Sequence, residues 1–214
     1  MYHDAYAHLY QKMQGFRVKI FTAEKDVYLD GSLSLKPSTR STYDIAMRDA
    51  TIDGLLTMDK IEELKPGQIF YRLEMPSELF IIQSVNKFEF QKQTRNINAV
   101  KQNSFITIQR KDYDEILNKE IYKDIYSNLI SFVTMQNKDE KNFAAGIEDN
   151  TMVQIQFPKI DLQDNVYDIK VEDRIILTDI SRKISKKVKI ESVNMFGVPG
   201  VTMVAGTFDT RTGE

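Results

Sequence analysis

The sequence predicts a mainly β (α+β) fold made of two small antiparallel β-barrel modules, and three observations lead to that prediction. Apolar and polar residues alternate along short segments such as FRVKI at 16–20 and MVQIQF at 152–157, which is typical of strands with one buried face. Turn residues separate these segments. Two similar segments, called here the two copies of the phrase, also occur, namely LKPGQIFYRLEMPSELFIIQSVN at 64–86 and IKVEDRIILTDISRKISKKVKIESVN at 169–194.

The two copies of this phrase align over a turn, a strand, a hairpin and a second strand. Arg174–Leu177 correspond to Gln68–Tyr71. Ser192–Asn194 repeat Ser84–Asn86, with a hairpin two residues longer in the second copy. The turn Lys65-Pro66-Gly67 pairs a fixed Pro angle with the unusual angle that Gly allows. Because closure removes exposed strand edges, we predict two SH3-like barrels. Chance similarity among strand residues is the alternative to a duplication.

Two further patterns predict a hairpin and loops. Asp30-Gly31 lies between alternating segments and favours a hairpin turn. The polar segments Glu89–Asn103 and Gln136–Asn150, the second of which has no apolar period, predict exposed loops that become ordered on contact with neighbouring subunits.

Helical spacing of apolar residues predicts two helices. At the N-terminus it is shown by Tyr2, Tyr6, Leu9, Tyr10 and Met13, with Gly15 as a stop. Further along the chain it is shown by Tyr113, Leu117, Ile121, Ile125, Leu129 and Phe132. We therefore expect an N-terminal helix and first barrel in 1–110, a connecting helix in 111–135, a linker or long loop in 136–150 and a second barrel in 151–214.

The composition excludes several classes of protein. The formal net charge is −2, so no global field attracts the chain to nucleic acid or to an anionic membrane. The chain has no Cys, which excludes disulfides, thiol nucleophiles and Cys-ligated metals. The N-terminal segment lacks the features of a secretory signal, and apolar runs such as Leu79–Ile82 are too short to cross a bilayer. We expect no membrane association.

No motif of catalysis or cofactor binding is present in the sequence. His3 and His8 are five residues apart, which does not place both on one helix face. Neither a phosphate-binding Gly loop nor a GxSxG elbow occurs. The acidic group Asp112, Asp114 and Glu115 opens the expected helix, where negative charge interacts favourably with the helix dipole. We therefore predict that the protein is not an enzyme, with no catalytic residues, cofactor, metal or small-molecule substrate.

One basic run is the candidate contact site. Ser181–Lys189 carries five cations, namely Arg182, Lys183, Lys186, Lys187 and Lys189. They could contact DNA phosphates or an acidic partner. The alternative is a solvated hairpin whose lysines protect a strand edge from pairing with other chains.

The repeated phrase also carries a resemblance to a family. With LKPGQIF at 64–70, ELFIIQSVN at 78–86 and VKIESVNMFGVPGVTMVAG at 188–206, the chain resembles the neck proteins of tailed bacteriophages. These are the head-completion, stopper and head–tail connector proteins of phages and prophages of Gram-positive bacteria. The chain departs from the small stopper proteins by its greater length and its extra module. No functional residues carry over, because ring contacts in such proteins follow no fixed motif.

The resemblance implies a ring-forming structural protein of the virion, assembled in the host cytoplasm. Its partners would be copies of itself, neighbouring portal, neck or tail proteins, and DNA in the lumen of the ring. Tail-terminator, tail and baseplate proteins are the alternatives within the particle. A cellular tandem-barrel nucleic-acid-binding module is the alternative from another class.

Overall fold

The structure is a computed structural model that describes residues 16–21, 27–35, 51–57, 64–86, 94–137, 151–163, 165–180 and 185–209. Within these ranges the chain forms strands and no helix, which confirms the mainly β prediction. The strands are β1 Phe16–Ile20, β2 Val27–Leu35, β3 Thr51–Thr57, β4 Ile69–Arg72, β5 Met75–Asn86, β6 Thr94–Lys101, β7 Ser104–Asp114, β8 Lys119–Asn137, β9 Thr151–Pro158, β10 Arg174–Asp179, β11 Ser185–Val198 and β12 Val201–Phe208.

The strands form two closed antiparallel barrels with the same connectivity. Around the first barrel the order is β1-β2-β3-β6-β5-β4, and around the second it is β7-β8-β9-β12-β11-β10. In each barrel three consecutive strands are followed by the next three in reverse order, and the fourth strand pairs with the first. The two copies of the phrase therefore occupy equivalent places, as the turn and strands β4–β5 and as the turn and strands β10–β11.

The chain divides into two compact units that are built around these barrels. The first unit holds Met1–Gln102 together with Pro158–Tyr167 and Val198–Val201, and the second holds Asn103–Phe157, Asp168–Gly197 and Thr202–Glu214. Short segments from the second half of the sequence therefore belong to the first unit.

The turns that precede β4 and β10 share one conformation, although only one of them contains glycine. Gly67 has φ +92° and Glu172 has φ +88°. In both turns, 65–68 and 170–173, the fourth amide donates to the first carbonyl, at 3.4 and 3.2 Å. The third amide donates to the facing strand at 2.7 and 3.5 Å. The fourth side chain accepts from the first amide at 2.8 and 2.9 Å.

This shared turn corrects the alignment of the two copies. Gln68 is equivalent to Asp173, one residue before the predicted match at Arg174, because both side chains cap the same amide. Equivalent residues of the two turns are 105 positions apart in the sequence. The facing residues Ile82 and Ile190, whose amides donate to the carbonyls of Gln68 and Asp173, are 108 positions apart. The second hairpin is therefore three residues longer, and not two. The Ser-Val-Asn match at the end of each phrase is unchanged.

Each barrel encloses its own apolar core. In the first barrel this core is formed by Val18, Ile20, Phe70, Phe80, Ile82, Ile97 and Ala99, with the rings of Phe70 and Phe80 stacked at 5.2 Å. The buried side chains of the second barrel include Ile106, Ile108, Val153, Ile155, Phe157, Ile175, Val188 and Ile190. Full burial of such a side chain contributes about 1.5–3 kcal/mol.

The predicted connecting helix at 111–135 is wrong, because these residues belong to β7 and β8 of the second barrel. The segment is rich in aromatic and β-branched residues, which favour strands. Asp114 reverses the chain by accepting the amides of Ile116 and Leu117 at 2.9 and 3.0 Å, and Asn118 takes a left-handed conformation with φ +49°. This local turn chemistry overrides the helical spacing of the apolar residues.

Two other local predictions are also corrected. Asp30-Gly31 lies inside β2 and is not a hairpin turn. There Asp30 pairs with both Arg17 and Thr57, so the dipeptide marks the point where β2 passes from one neighbour to the other. Most of the predicted loop Glu89–Asn103 is strand β6, whose alternate residues Ile97 and Ala99 are buried. The predicted N-terminal helix lies outside the described residues, as does 138–150 of the predicted linker.

One ion-pair cluster in the first barrel makes its stability depend on pH. Glu78 contacts Lys101 at 2.6 Å and Arg72 at 3.0 Å. The hydrogen bond from Lys101, opposed by burial and assisted by Arg72, lowers the pKa of Glu78 below its ordinary 4.5. A lowered pKa means that the unfolded chain binds the proton first as pH falls. The stabilisation is therefore complete above pH 4.5 and is lost as pH falls through the folded value.

We expect Glu78→Gln to reduce the loss of first-barrel stability between neutral pH and about pH 3.5. The measurement is the urea midpoint against pH for both proteins. Glu74→Gln is the matched control, because it removes the same charge from an exposed turn residue. If Glu78→Gln and the wild type lose stability in parallel, Glu78 is not the group responsible.

Candidate interaction site

The predicted basic run falls partly on strand β11 of the second barrel. Lys186, Lys187 and Lys189 lie on this strand, and Arg182 and Lys183 lie outside the described residues. The register sets Lys187 opposite Ile176 and Lys189 opposite Arg174 on β10. The structure therefore shows where three of the five candidate cations lie.

Strand alternation separates these three lysines. Val188 and Ile190 are fully buried. Lys187 precedes Val188 and Lys189 lies between the two buried residues, so both lysines face outwards. Lys186, at the start of the strand, shares the strand face of Val188 and Ile190. Its Nζ lies 4.6 Å from the centre of the Phe208 ring. Of the three described lysines, the structure therefore places Lys187 and Lys189 on one face and Lys186 on the other.

The outward face beside Lys189 is a row of paired polar groups. Across the strands, Lys189 is followed by Arg174, Gln109 and Asp124. The guanidinium of Arg174 donates to Gln109 Oε1 at 2.9 and 3.1 Å and lies 3.6 Å from the ring centre of Tyr122. Gln109 in turn donates to Asp124 at 2.6 Å. Lys189 ends this row and forms no ion pair with the residues that the structure describes.

The second feature of this unit is a projecting hairpin, which the sequence did not predict. β7 pairs with β10 only over Ser104–Gln109, and β8 pairs with β9 only over Phe132–Asn137. Residues 110–114 and 119–123 pair with each other alone. We call residues 111–123 the arm. Cross-strand ion pairs hold it together: Lys111 contacts Glu120 at 2.6 Å, and Lys123 contacts Asp112. The hydrogen bond from Lys123 lowers the pKa of Asp112.

The tip of the arm is both apolar and acidic. Ile116 is 95% exposed, Leu117 59% and Tyr113 53%. The tip turn is fixed by the two amide bonds to Asp114 and by the Tyr113 hydroxyl, which donates to Asn118 Oδ1. Glu115 is exposed beside Ile116. Large apolar side chains held this far out of a core contribute little to folding, and clustered exposure of this kind marks an interaction site.

An ion-pair network joins Arg110, at the base of the arm, to the turn at 170–173 that precedes β10. Arg110 donates from Nε and Nη2 to both oxygens of Asp173, at 2.9 and 2.8 Å. It also donates to the Asp168 carboxylate at 3.0 Å and carbonyl at 2.8 Å. Asp173, chiefly, raises the pKa of Arg110, and Arg110 lowers the pKa of Asp168. The amide of Asp168 also donates to the Tyr126 hydroxyl at 3.1 Å. These contacts anchor the base of the arm to the segment 168–173.

Sequence reasoning missed the arm because it assigned these residues to a helix. A usable signal was present in Asp114 and Asn118, which are typical turn residues and flank a short exposed segment. Within the described ranges, no group of three or more His, Cys, Asp or Glu side chains could hold a metal ion. No helix in the described part of the chain is long and apolar enough to cross a membrane.

Comparison with protein-family models and with curated proteins finds no match to this chain. Among solved structures, three of MrkH from K. pneumonia match along most of the chain. The P2(1) crystal at 2.65 Å has 9% identity and a TM-score of 0.19, with 97% of this chain and 83% of MrkH covered. The apo structure has 9% identity and a TM-score of 0.18, covering 97% and 84%. The complex of MrkH with c-di-GMP has 11% identity and a TM-score of 0.17, covering 97% and 85%. Scores this low carry no argument about the present chain.

Proposed function

We propose that this protein is a structural, non-enzymatic component of a phage or phage-like particle, and in particular a ring-forming head–tail connector or neck protein. The observation that carries the proposal is the arm, whose apolar tip is held away from the barrel by a fixed base. The sequence resemblance of the segments 64–86 and 188–206 to neck proteins supports the same class. On this proposal the two barrels are related to the SH3-like modules expected from the sequence.

The arm supports an assembly role because a ring subunit needs two different surfaces that fit one another. A closed ring is built from repeated head-to-tail contacts between copies. A closed barrel offers no free strand edge for such contacts, and a projecting element can supply them instead. The ion pairs of the arm and the capped turn at its tip order this element before any partner arrives, which lowers the entropic cost of association.

On this proposal the partners are further copies in the ring, the adjacent portal, neck or tail proteins, and DNA in the lumen. Tail-terminator, tail and baseplate proteins use the same kind of assembly and remain the alternatives within the particle. The site of action would be the virion, with assembly in the host cytoplasm.

One observation favours the alternative of a tandem-barrel nucleic-acid-binding module. Lys187 and Lys189 share the outward face of β11, next to Arg174 and its stacked partner Tyr122. Cations beside an aromatic ring are a common setting for phosphate and base contacts. Arg174 is already bonded to Gln109 and is 9% exposed, which leaves few free groups on this face. We therefore rank this function second.

The deciding experiment is the mass of the full chain in solution over a range of concentration and salt, followed by negative-stain imaging. Closed rings are the expected result. A monomer at every concentration that binds DNA or RNA oligonucleotides, and loses that binding on Lys187→Glu and Lys189→Glu, would replace the proposal by the nucleic-acid alternative. A ring that forms equally well without DNA and with it supports assembly through protein contacts.

A further inference from the structure

We infer that the tip of the arm in one copy docks on strand β11 of a second copy of the chain, with Glu115 facing Lys189 and Ile116 covered by the contact. This inference rests on the proposed ring-forming function and names the surfaces that build the ring. The two surfaces lie in the same unit, where the base of the arm and Lys189 flank the start of β10 on its two sides.

Charge complementarity selects the second copy as the occupant. At the tip, Asp112 is paired with Lys123 and Asp114 accepts the amides of the turn, whereas Glu115 is exposed and forms no ion pair with the residues that the structure describes. On strand β11, Lys189 is likewise exposed and forms no ion pair with the described residues, and Glu191 follows it on the same outward face. Opposite potentials of this kind steer association and fix which surfaces meet. The exposed Ile116 adds apolar area that water leaves when the contact forms.

In the structure, the tip lies away from strand β11 of its own copy. Asp114 follows Gln109, the last β7 residue paired with β10, by a distance of roughly 17 Å along a strand. Lys189 lies across β10 from Gln109, roughly 10 Å to the side. The tip and Lys189 of one copy are therefore about 20 Å apart. The Arg110 network holds the base of the arm, and cross-strand ion pairs join its two strands to each other.

Such a contact is head-to-tail, because one copy gives its arm and the next gives its strand. The pair then keeps one free strand and one free arm, on different copies, so the contact repeats and closes into a ring when the rotation allows it. The symmetric alternative, in which two arms meet tip to tip, would bring like charges together at Glu115.

A cysteine cross-link tests the contact directly, because the chain contains no Cys. Full-length Glu115→Cys and Lys189→Cys proteins are mixed and oxidised, and the disulfide-linked pair is measured on a non-reducing gel. A disulfide forms only where the two Cα atoms come within about 7 Å. We expect a cross-linked pair in the mixture and much less in either protein alone. The matched control mixes Lys189→Cys with Glu74→Cys, which moves the thiol to an exposed turn of the first barrel.

Charge reversal tests the same pairing without cysteine. Glu115→Lys and Lys189→Glu are each expected to weaken self-association by about tenfold at low salt, and the double variant to recover most of it. Ile116→Ser is expected to weaken association at all salt concentrations, because its apolar contribution is not screened. Glu115 and Ile116 are exposed, so these variants should fold, which circular dichroism verifies. Glu74→Lys is the control for the charge change.

The outcomes separate this inference from the proposed function. Rings that persist in all variants, with no cross-link, overturn the inference and leave the neck proposal standing. Cross-linked dimers or open filaments without rings support the contact and count against a ring. A monomer at every concentration, with no cross-link in the mixture, overturns the docking of one copy on another.

Discussion

Replacing Arg110 with alanine is expected to lower the free energy of unfolding of the second barrel by about 3 kcal/mol. Arg110 makes a two-pronged contact with Asp173, whose side chain is only 4% exposed. Without the guanidinium, the carboxylate stays buried without its counter-charge. The expected loss lies at the lower end of the usual range because Arg110 is itself 30% exposed. Asp173 also keeps the amide of Lys170 at 2.9 Å.

The measurement is urea unfolding of the wild type and of Arg110→Ala, followed by a signal from the second barrel. Arg110→Lys keeps the charge and loses the fork, so it should recover only part of the stability. Arg110→Met combined with Asp173→Asn removes both charges and is expected to be more stable than Arg110→Ala. If Arg110→Ala costs less than about 1 kcal/mol, the network acts as an ordinary surface ion pair and the arm has no fixed base.

Turn chemistry made the two-barrel architecture predictable from the sequence. A turn is set by a few adjacent residues, so its pattern survives in one linear stretch, as in Lys65-Pro66-Gly67. The second copy has Glu172 where the first has Gly67, which is why the alignment from letters alone slipped by one residue. The hydrogen bonds shared by both turns could be compared only in three dimensions.

The false helix shows where apolar spacing fails as a guide. Residues three or four apart can also lie on one face of a long hairpin, because a bulge changes which residues of a strand face the same side. β8 has such shifts opposite Ile106 and Ile108, and Asn128 takes φ +56° there. Tyr113 and Leu117 are exposed, although both would have faced the protein core in the predicted helix. Periodicity of side chains therefore predicts burial only while the backbone remains regular.

The candidate site was predictable only in part for a similar reason. The lysines of the basic run are adjacent in sequence, but a strand sends alternate side chains to opposite faces, which separates Lys186 from Lys187 and Lys189. The network at the base of the arm joins Arg110 to Asp173, which are 63 residues apart. No local pattern encodes a contact of that kind.

The equivalence of the two turns predicts substitutions with opposite effects. Gly67→Ala is expected to destabilise the first unit by about 2–4 kcal/mol, because alanine is strained at this angle and its Cβ would also clash. The angle is φ +92°, and an added Cβ would lie 2.7 Å from the carbonyl oxygen of Gly200. Glu172→Gly is expected to stabilise the second unit by about 0.5–1 kcal/mol, because glycine removes the strain but gains entropy when unfolded.

Urea unfolding of both variants beside the wild type measures this pair, with each unit followed by its own signal because two units need not unfold together. Glu172→Gln separates backbone strain from charge, since it removes the carboxylate and keeps the side chain, and we expect it to match the wild type. The expected stability gain of Glu172→Gly assumes that the hydrogen bonds of the turn 170–173 stay in place and that only the strain at its third residue changes. If glycine destabilises this position, the turn tolerates its left-handed residue through contacts of the Glu172 side chain. The first barrel would then need glycine mainly because Gly200 lies so close, and the shared backbone bonds would not make the two turns energetically equivalent.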